Sequence, residues 1–164
     1  MERLSVVILR PEDVETAERT LRTLVEETDA LGAYLLIGSG EVAARHIDDR
    51  SVDLPAAGAL LVGAFRAAGE IARMLGDERL TTTFLQGTRR HVACHAVGDD
   101  WLLAVVFAPI SGLGLVRVTA ARAAESLAPI ATASRSRAVE SGELPRSLGE
   151  GVVRAIDRLF EDRR

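Results

Sequence analysis

The sequence predicts an α+β protein, an α/β/α sandwich with helices on both faces of a five-stranded, mostly antiparallel sheet. Three observations carry that prediction. Gly38-Ser39-Gly40, Gly87-Thr88 and Gly98-Asp99-Asp100 separate short apolar or β-branched runs, as hairpin turns do. Three longer stretches repeat apolar residues every three or four positions, the period of helices. The order is helix, hairpin, helix, three-strand meander, helix, which sets strands side by side with helices packed against them.

Residues 1–10 contain a short β-like run, Val6-Val7-Ile8-Leu9. Pro11-Glu12-Asp13 then opens a helix over Glu12–Ala30, with acids in the first turn where the helix dipole favours them. Val14, Ala17, Leu21, Leu24, Val25 and Leu31 form its apolar stripe, and Gly32 is its expected stop. Ala33–Ile37 and Glu41–Ile47 are the two strands of the first hairpin, and residues 48–53 are a polar loop.

The chain is organised around Leu54–Leu75, LPAAGALLVGAFRAAGEIARML, which reads as one helix. At about 20 residues it is roughly 30 Å long. Leu54-Pro55 opens it, since proline is tolerated in a first turn, and Gly76 closes it. At 3.6 residues per turn, Leu60, Leu61, Ala64, Phe65, Ala67, Ala68, Ile71, Ala72, Met74 and Leu75 share an arc of about half the circumference. Packing on one sheet needs an apolar stripe of only about 100°. The excess points to two burial surfaces: the helix's own sheet and a second body, such as the same helix in another copy. Ala59, Val62, Gly63, Arg66, Gly69, Glu70, Arg73 and Asp77 take the opposite arc, small and charged residues together. The plainer alternative is a core helix with a solvated back.

The meander follows. Leu80–Gln86 is threonine-rich and β-branched, Arg90–Val97 alternates, and Trp101–Phe107 is apolar throughout, as in a central strand covered on both faces. Ser111 is the expected N-cap of a helix to about residue 133, with Leu113, Val116, Ala120, Ala123, Leu127 and Ile130 inward. One domain over 1–133 is therefore expected. A Ser/Arg/Gly-rich linker over 134–149 and a short amphipathic helix over 150–164 would follow it.

Composition narrows the function. The 164 residues are 27% charged and 48% apolar, with a net charge of −4. No basic patch interleaved with aromatics is present, so neither a nucleic-acid partner nor a membrane surface is expected. One cysteine cannot build a disulfide framework, and no run is long enough for a signal peptide or membrane span. The expected compartment is the cytoplasm.

Chemistry is scarce. On a strand, His91 and His95 stand about 13 Å apart, too far to share a metal. Gly38-x-Gly40 and Gly112-x-Gly114 do not continue into phosphate-binding loops, and no nucleophile elbow occurs. No catalytic residue, metal site or cofactor is expected.

Four pieces in order carry a resemblance: AYLLIGSGE at Ala33–Glu41, the small-residue helix around Gly63–Ile71, Trp101–Phe107, and SGLGLVR at Ser111–Arg117. Over about Glu12–Ile130 the pattern resembles the roadblock (dynein light chain) domain family, and within it the bacterial MglB group. Ala155–Phe160 is similar to the short acidic-aliphatic motif that ends MglB proteins. The resemblance implies a non-catalytic regulator that forms a homodimer, with Leu61, Ala64, Phe65, Ala68 and Leu75 between paired helices. It also implies a platform for one small Ras-like GTPase, touched by Ala59, Val62, Gly63, Arg66, Glu70 and Arg73, and by Ile156, Leu159 and Phe160 of the tail. Such a protein stimulates hydrolysis by realigning the GTPase's own switch loops, through positioning and electrostatics. Arg66 and Glu70 depart from the small residues usual on that face and are spaced to pair at i,i+4. Two alternatives remain: a roadblock scaffold that leaves hydrolysis unchanged, and a PAS- or GAF-like small-molecule sensor, which would need an interior cavity.

Overall fold

The central strand decides the architecture. Trp101–Phe107 is buried at every position, as its unbroken apolar run requires. It lies in the middle of a five-stranded sheet, and the computed structural model describes that sheet and its helices over residues 7–49 and 54–142. In chain order the elements are α1 (Pro11–Thr28), β1 (Gly32–Leu36), β2 (Val42–Ile47), α2 (Gly58–Met74), β3 (Thr82–Gln86), β4 (His91–Val97), β5 (Trp101–Phe107) and α3 (Leu113–Gly142). The strands run β2-β1-β5-β4-β3 across the sheet, and every neighbouring pair is antiparallel. The mixed α+β class and the antiparallel sheet are those predicted.

The two faces are covered unequally. α1 and α3 lie together on one face, where Leu21, Leu24, Leu35, Leu103, Phe107 and Leu127 are sealed in one core. α2 lies alone on the other, over Tyr34, Leu36, Leu102, Ala104, Val106 and Cys94. Small residues under it, Ala104 and Cys94, sit opposite each other in register on β5 and β4 and let the helix approach.

Several boundaries differ from the sequence expectation, each for a local reason. α1 stops at Thr28 because Asp29 turns left-handed (φ 50°), a conformation aspartate tolerates; Gly32 instead begins β1. Val7 and Leu9 pack against the α1/α3 core without forming a strand, and Val6 lies outside the described residues. Pro55–Ala57 forms a single 3-10 turn before α2 begins at Gly58. Ser111 does not cap α3, which begins two residues later. Its hydroxyl faces the carbonyl of Asp29, 3.4 Å away, and Leu113 is exposed.

The largest correction concerns the linker. α3 runs through residue 142, so the helix occupies the start of the predicted 134–149 linker. Ser134 is buried, Arg135 pairs with Asp99 (2.6 Å) and Asp100, and Arg137 pairs with Asp13 and donates to the carbonyl of Ile8. Contacts with distant segments hold a composition that alone reads as linker. Residues 143–149 and the predicted helix over 150–164 lie outside the described residues.

The start of α2 is pinned by two glycines. Gly40 has φ +93°, and a Cβ there would run into the backbone of Ala59; a Cβ on Gly58 would run into the carbonyl of Gly40. The β1–β2 turn thus sits directly on the first turn of α2. Gly40→Ala combines left-handed strain with a backbone clash and is expected to cost roughly 2 kcal/mol or more. Urea unfolding followed by circular dichroism would show this as a lowered midpoint with an unchanged slope.

Candidate protein-interaction face

A sheet of five strands is about 24 Å wide, and a helix about 10 Å across, so α1 and α3 nearly cover one face while α2 leaves much of the other open. The surface chemistry of α2 answers to that geometry. Its circumference divides into three sides.

The first side meets the sheet: Leu61 (8% exposed), Val62 (5%) and Ala72 are buried, with Phe65 packed beside them. The second side is apolar and open. Leu60 is 75% exposed, Ile71 59%, Met74 86% and Leu75 80%, and Ala64 and Ala67 between them are also exposed. The half-turn of apolar residues therefore splits into an inward half and an outward half. Leu85 on the edge strand β3 is exposed too, on the α2 side of the sheet, since its register partner Val92 packs in the α2 core. The third side carries Ala59, Gly63, Arg66, Glu70 and Arg73, all exposed.

Burial within the chain divides the residues that the sequence assigned to this helix. Leu61 and Phe65, expected between two copies, belong to the protein's own core, because they stand on the same side of the helix as Ala72 and Gly58. Val62, expected on the outer platform, also faces the sheet. Ala64 and Leu75 are exposed and Ala68 is half-buried at the boundary. Glu70 pairs with Arg73 at i,i+3 instead of with Arg66. Leu60, Ala67, Ile71 and Met74, which the sequence placed on the apolar arc without assigning them a role, form most of the open stripe. Ile156, Leu159 and Phe160 lie outside the described residues.

A concavity of about 290 Å³ lies between α2 and the β4–β5 turn, and another of about 520 Å³ lies away from this face, between α1 and β2. Both open to solvent, so neither resembles the enclosed chamber a sensor domain needs. Val62, Phe65, Trp101 and Leu102 line the smaller one, with Arg66 and Asp100 among its charged residues.

The titratable groups of β4 are structural. His91 is wedged edge-on between the rings of Phe84 and Phe107, with centroids 5.4 and 5.5 Å away. His95 is buried, 3.3 Å from the hydroxyl of Thr82. Burial, and then the charge of Arg117, lower its pKa. Cys94 lies under α2, and burial pushes its thiol up to about 11 against a weaker opposing hydrogen bond with Thr83. A thiol so disfavoured as thiolate is not a nucleophile at neutral pH. Among the described residues no group of three or more His, Cys, Asp or Glu could hold a metal ion. No described helix is long and apolar enough to cross a membrane.

The fold recurs in known proteins. The Roadblock/LC7 domain model matches residues 16–107, from within α1 to the end of β5. The chain belongs to the Roadblock/LC7 domain family. An MglB with a tetrameric arrangement is 29% identical, with TM-score 0.73 over 78% of this chain and 96% of that one. The gliding protein MglB from Thermus thermophilus is also 29% identical, with TM-score 0.71 over 77% and 96%. Myxococcus xanthus MglB, at 22% identity and TM-score 0.69 over 78% and 96%, shares the fold. Among curated protein sequences none matches. The roadblock match ends before α3, so that helix lies outside the part of the chain the family model describes.

The two buried groups of β4 bound the stability of this roadblock domain in pH. His95 takes up a proton less readily in the folded state than in the unfolded chain, whose value is 6.5, so stability falls as pH drops below that value. The folded state keeps the Cys94 proton that the unfolded chain loses from 9.0 upward, so stability falls as pH rises from 9.0 towards about 11. Urea midpoints at about pH 5, 7.5 and 10 are expected to be highest at about 7.5, and Cys94→Ala should remove part of the alkaline fall.

Proposed function

We propose that this roadblock protein is an MglB-like regulator: a homodimer whose α2 helices present a platform to one small Ras-like GTPase and stimulate its GTP hydrolysis or tune its nucleotide turnover. The observation that carries the reading is the exposed apolar stripe of α2 beside a charged flank, on a fold similar to MglB. The stripe of Leu60, Ala64, Ala67, Ile71, Met74 and Leu75 pairs with its copy in the partner subunit. β3 is a sheet edge with unpaired backbone groups on one side, so two sheets can join there into one. Gly69, next to Leu80, brings the C-terminal half of α2 close to the segment that leads into that edge. A stable interface needs about 800 Å² from each partner, and the stripe and the β3 edge together supply the contact surfaces.

The flank of Ala59, Gly63, Arg66, Glu70 and Arg73 borders the stripe and stays open in such a dimer. Its action on a GTPase is to hold the switch loops where the GTPase's own residues align with the γ-phosphate. Arg66 has no ion-pair partner among the described residues and is the cation most available to an acidic switch region.

Two outcomes test the reading. Ile71→Asp, at an exposed position, is expected to leave the circular dichroism spectrum intact and convert the dimer to monomer in light scattering at micromolar concentration. A wild-type protein that is already monomeric at high micromolar concentration would overturn the dimer. Arg66→Glu is expected to lower the association rate with the GTPase about tenfold or more at low salt, with a smaller loss at high salt, as rim charges do. Single-turnover GTP hydrolysis with and without the protein separates an activator from a scaffold: an unchanged rate in a formed complex means a scaffold.

A further inference from the structure

We infer that the outer edge of the sheet, β2, pairs antiparallel with β2 of a second copy of this chain, across a two-fold axis between Ala43 and Ala44. β2 is the edge opposite β3, so the inference does not rest on the reading above.

The ladder within the chain decides which groups are open. Ile37 donates to the carbonyl of Glu41, and Leu35 pairs with Ala44 in register. Backbone groups alternate in direction along a strand, so Glu41 and Ala44 point at β1, while Val42 and Arg45 point outward. A bulge lies between them: Leu36 faces Val42 and Leu35 faces Ala44, which leaves Ala43 extra. The side chains follow the same geometry. Ala43 and Ala44 both pack towards the α1/α3 core, and Val42 packs against the core under α2. Arg45 takes the α2 side with its register partner Tyr34, and His46 the α1 side with Ala33. Glu41 lines the concavity between β2 and Glu18 of α1. From 41 to 46 the sides therefore read α1, α2, α1, α1, α2, α1, the same in both directions.

Such an order fits itself. Antiparallel pairing about its midpoint sets Glu41 against His46 of the second copy, Val42 against Arg45 and Ala43 against Ala44, each pair on one face. Val42 and Arg45, whose groups are open, then exchange backbone N–H···O bonds. A slip of one residue either way sets α2-side residues against α1-side ones. The bulge blunts this edge towards other strands and admits this register.

Charge agrees with the pairing. α1 lies over β1 and β2, so two copies of α1 come to about 10 Å apart, the spacing of packed helices. Asp13 and Glu27 pair with Arg137 and Arg122 on the flank of α1 that meets α3. On the other flank Glu18 and Arg22 are exposed one turn apart, with no ion pair among the described residues. Antiparallel helices bring Glu18 of each copy to Arg22 of the other. The contact is small, so self-pairing is weak, with a Kd of about 100 µM.

Sedimentation velocity tests this on the full chain at low salt. From about 1 to 500 µM the protein is expected to grow past the dimer, because pairing through β3 leaves a free β2 at each end. Hydrogen exchange of peptides covering 41–47 should slow several-fold at the highest concentration, with β3 unchanged. Ile71→Asp should be monomeric at micromolar concentration and form pairs at the highest, with the same slowing over 41–47. Glu18→Arg and Arg22→Glu should each weaken growth about tenfold, and the double variant should restore it. Constant size, growth without slowing over 41–47, or growth that neither single charge variant weakens would overturn the inference. Slowing over 41–47 only on adding a GTPase would give the edge to another protein and overturn it too. If wild type and Ile71→Asp both stop at pairs with 41–47 slowed, the α2 dimer fails and the β2 pairing stands.

Discussion

Five strands make a sheet about 24 Å wide, and a single helix covers about 10 Å of it. That mismatch shapes this molecule. On one face two helices, α1 and α3, meet the demand and seal the larger core. On the other, α2 meets it alone, with a smaller core beneath it. A helix in that position keeps one side for its sheet and exposes the rest. Here the exposed remainder is not uniformly polar: it divides into an apolar stripe and a charged flank. Apolar side chains exposed this fully in a contiguous row lose the favourable transfer of burial, about 25 cal/mol per Å², until a second surface covers them.

The placement of α2 is rigid where it matters. Its first turn rests on the β1–β2 turn through Gly40 and Gly58, a backbone approach no side chain would permit. Leu61, Val62, Phe65 and Ala72 then lock its inward side along the sheet. A surface held this way presents its stripe and flank in one geometry. The histidines and the cysteine of β4 are spent on packing, with ring contacts around His91 and a buried thiol under α2.

α3 shows how polar residues extend an element. Its last turns carry Ser134, Arg135, Ser136 and Arg137, poor material for a helix judged by composition. Asp99 and Asp100 lie 36 and 35 residues away, and Asp13 124 residues away. Exposed ion pairs contribute little individually, but the Arg137–Asp13 pair is largely shielded and Ser134 is enclosed, so the helix has a packed reason to continue.

Much of this was legible in the sequence, because the signals are local. The apolar run Trp101–Phe107 read as a strand covered on both faces, glycines marked the turns, and helical periodicity placed the three described helices. The width of the apolar arc on Leu54–Leu75 also stated that α2 has more than one surface to bury. Periodicity fixes the angles between residues on a helix but not the direction the helix faces. So Leu61, Phe65 and Val62 could be grouped with the outward residues until the sheet beneath them settled the rotation. Likewise the stop at Asp29 in place of Gly32 and the run of α3 past residue 133 depend on partners remote in the chain. A sequence read in short windows determines periods, turns and the sizes of faces. Which surface each face meets is decided only when the whole chain has come together.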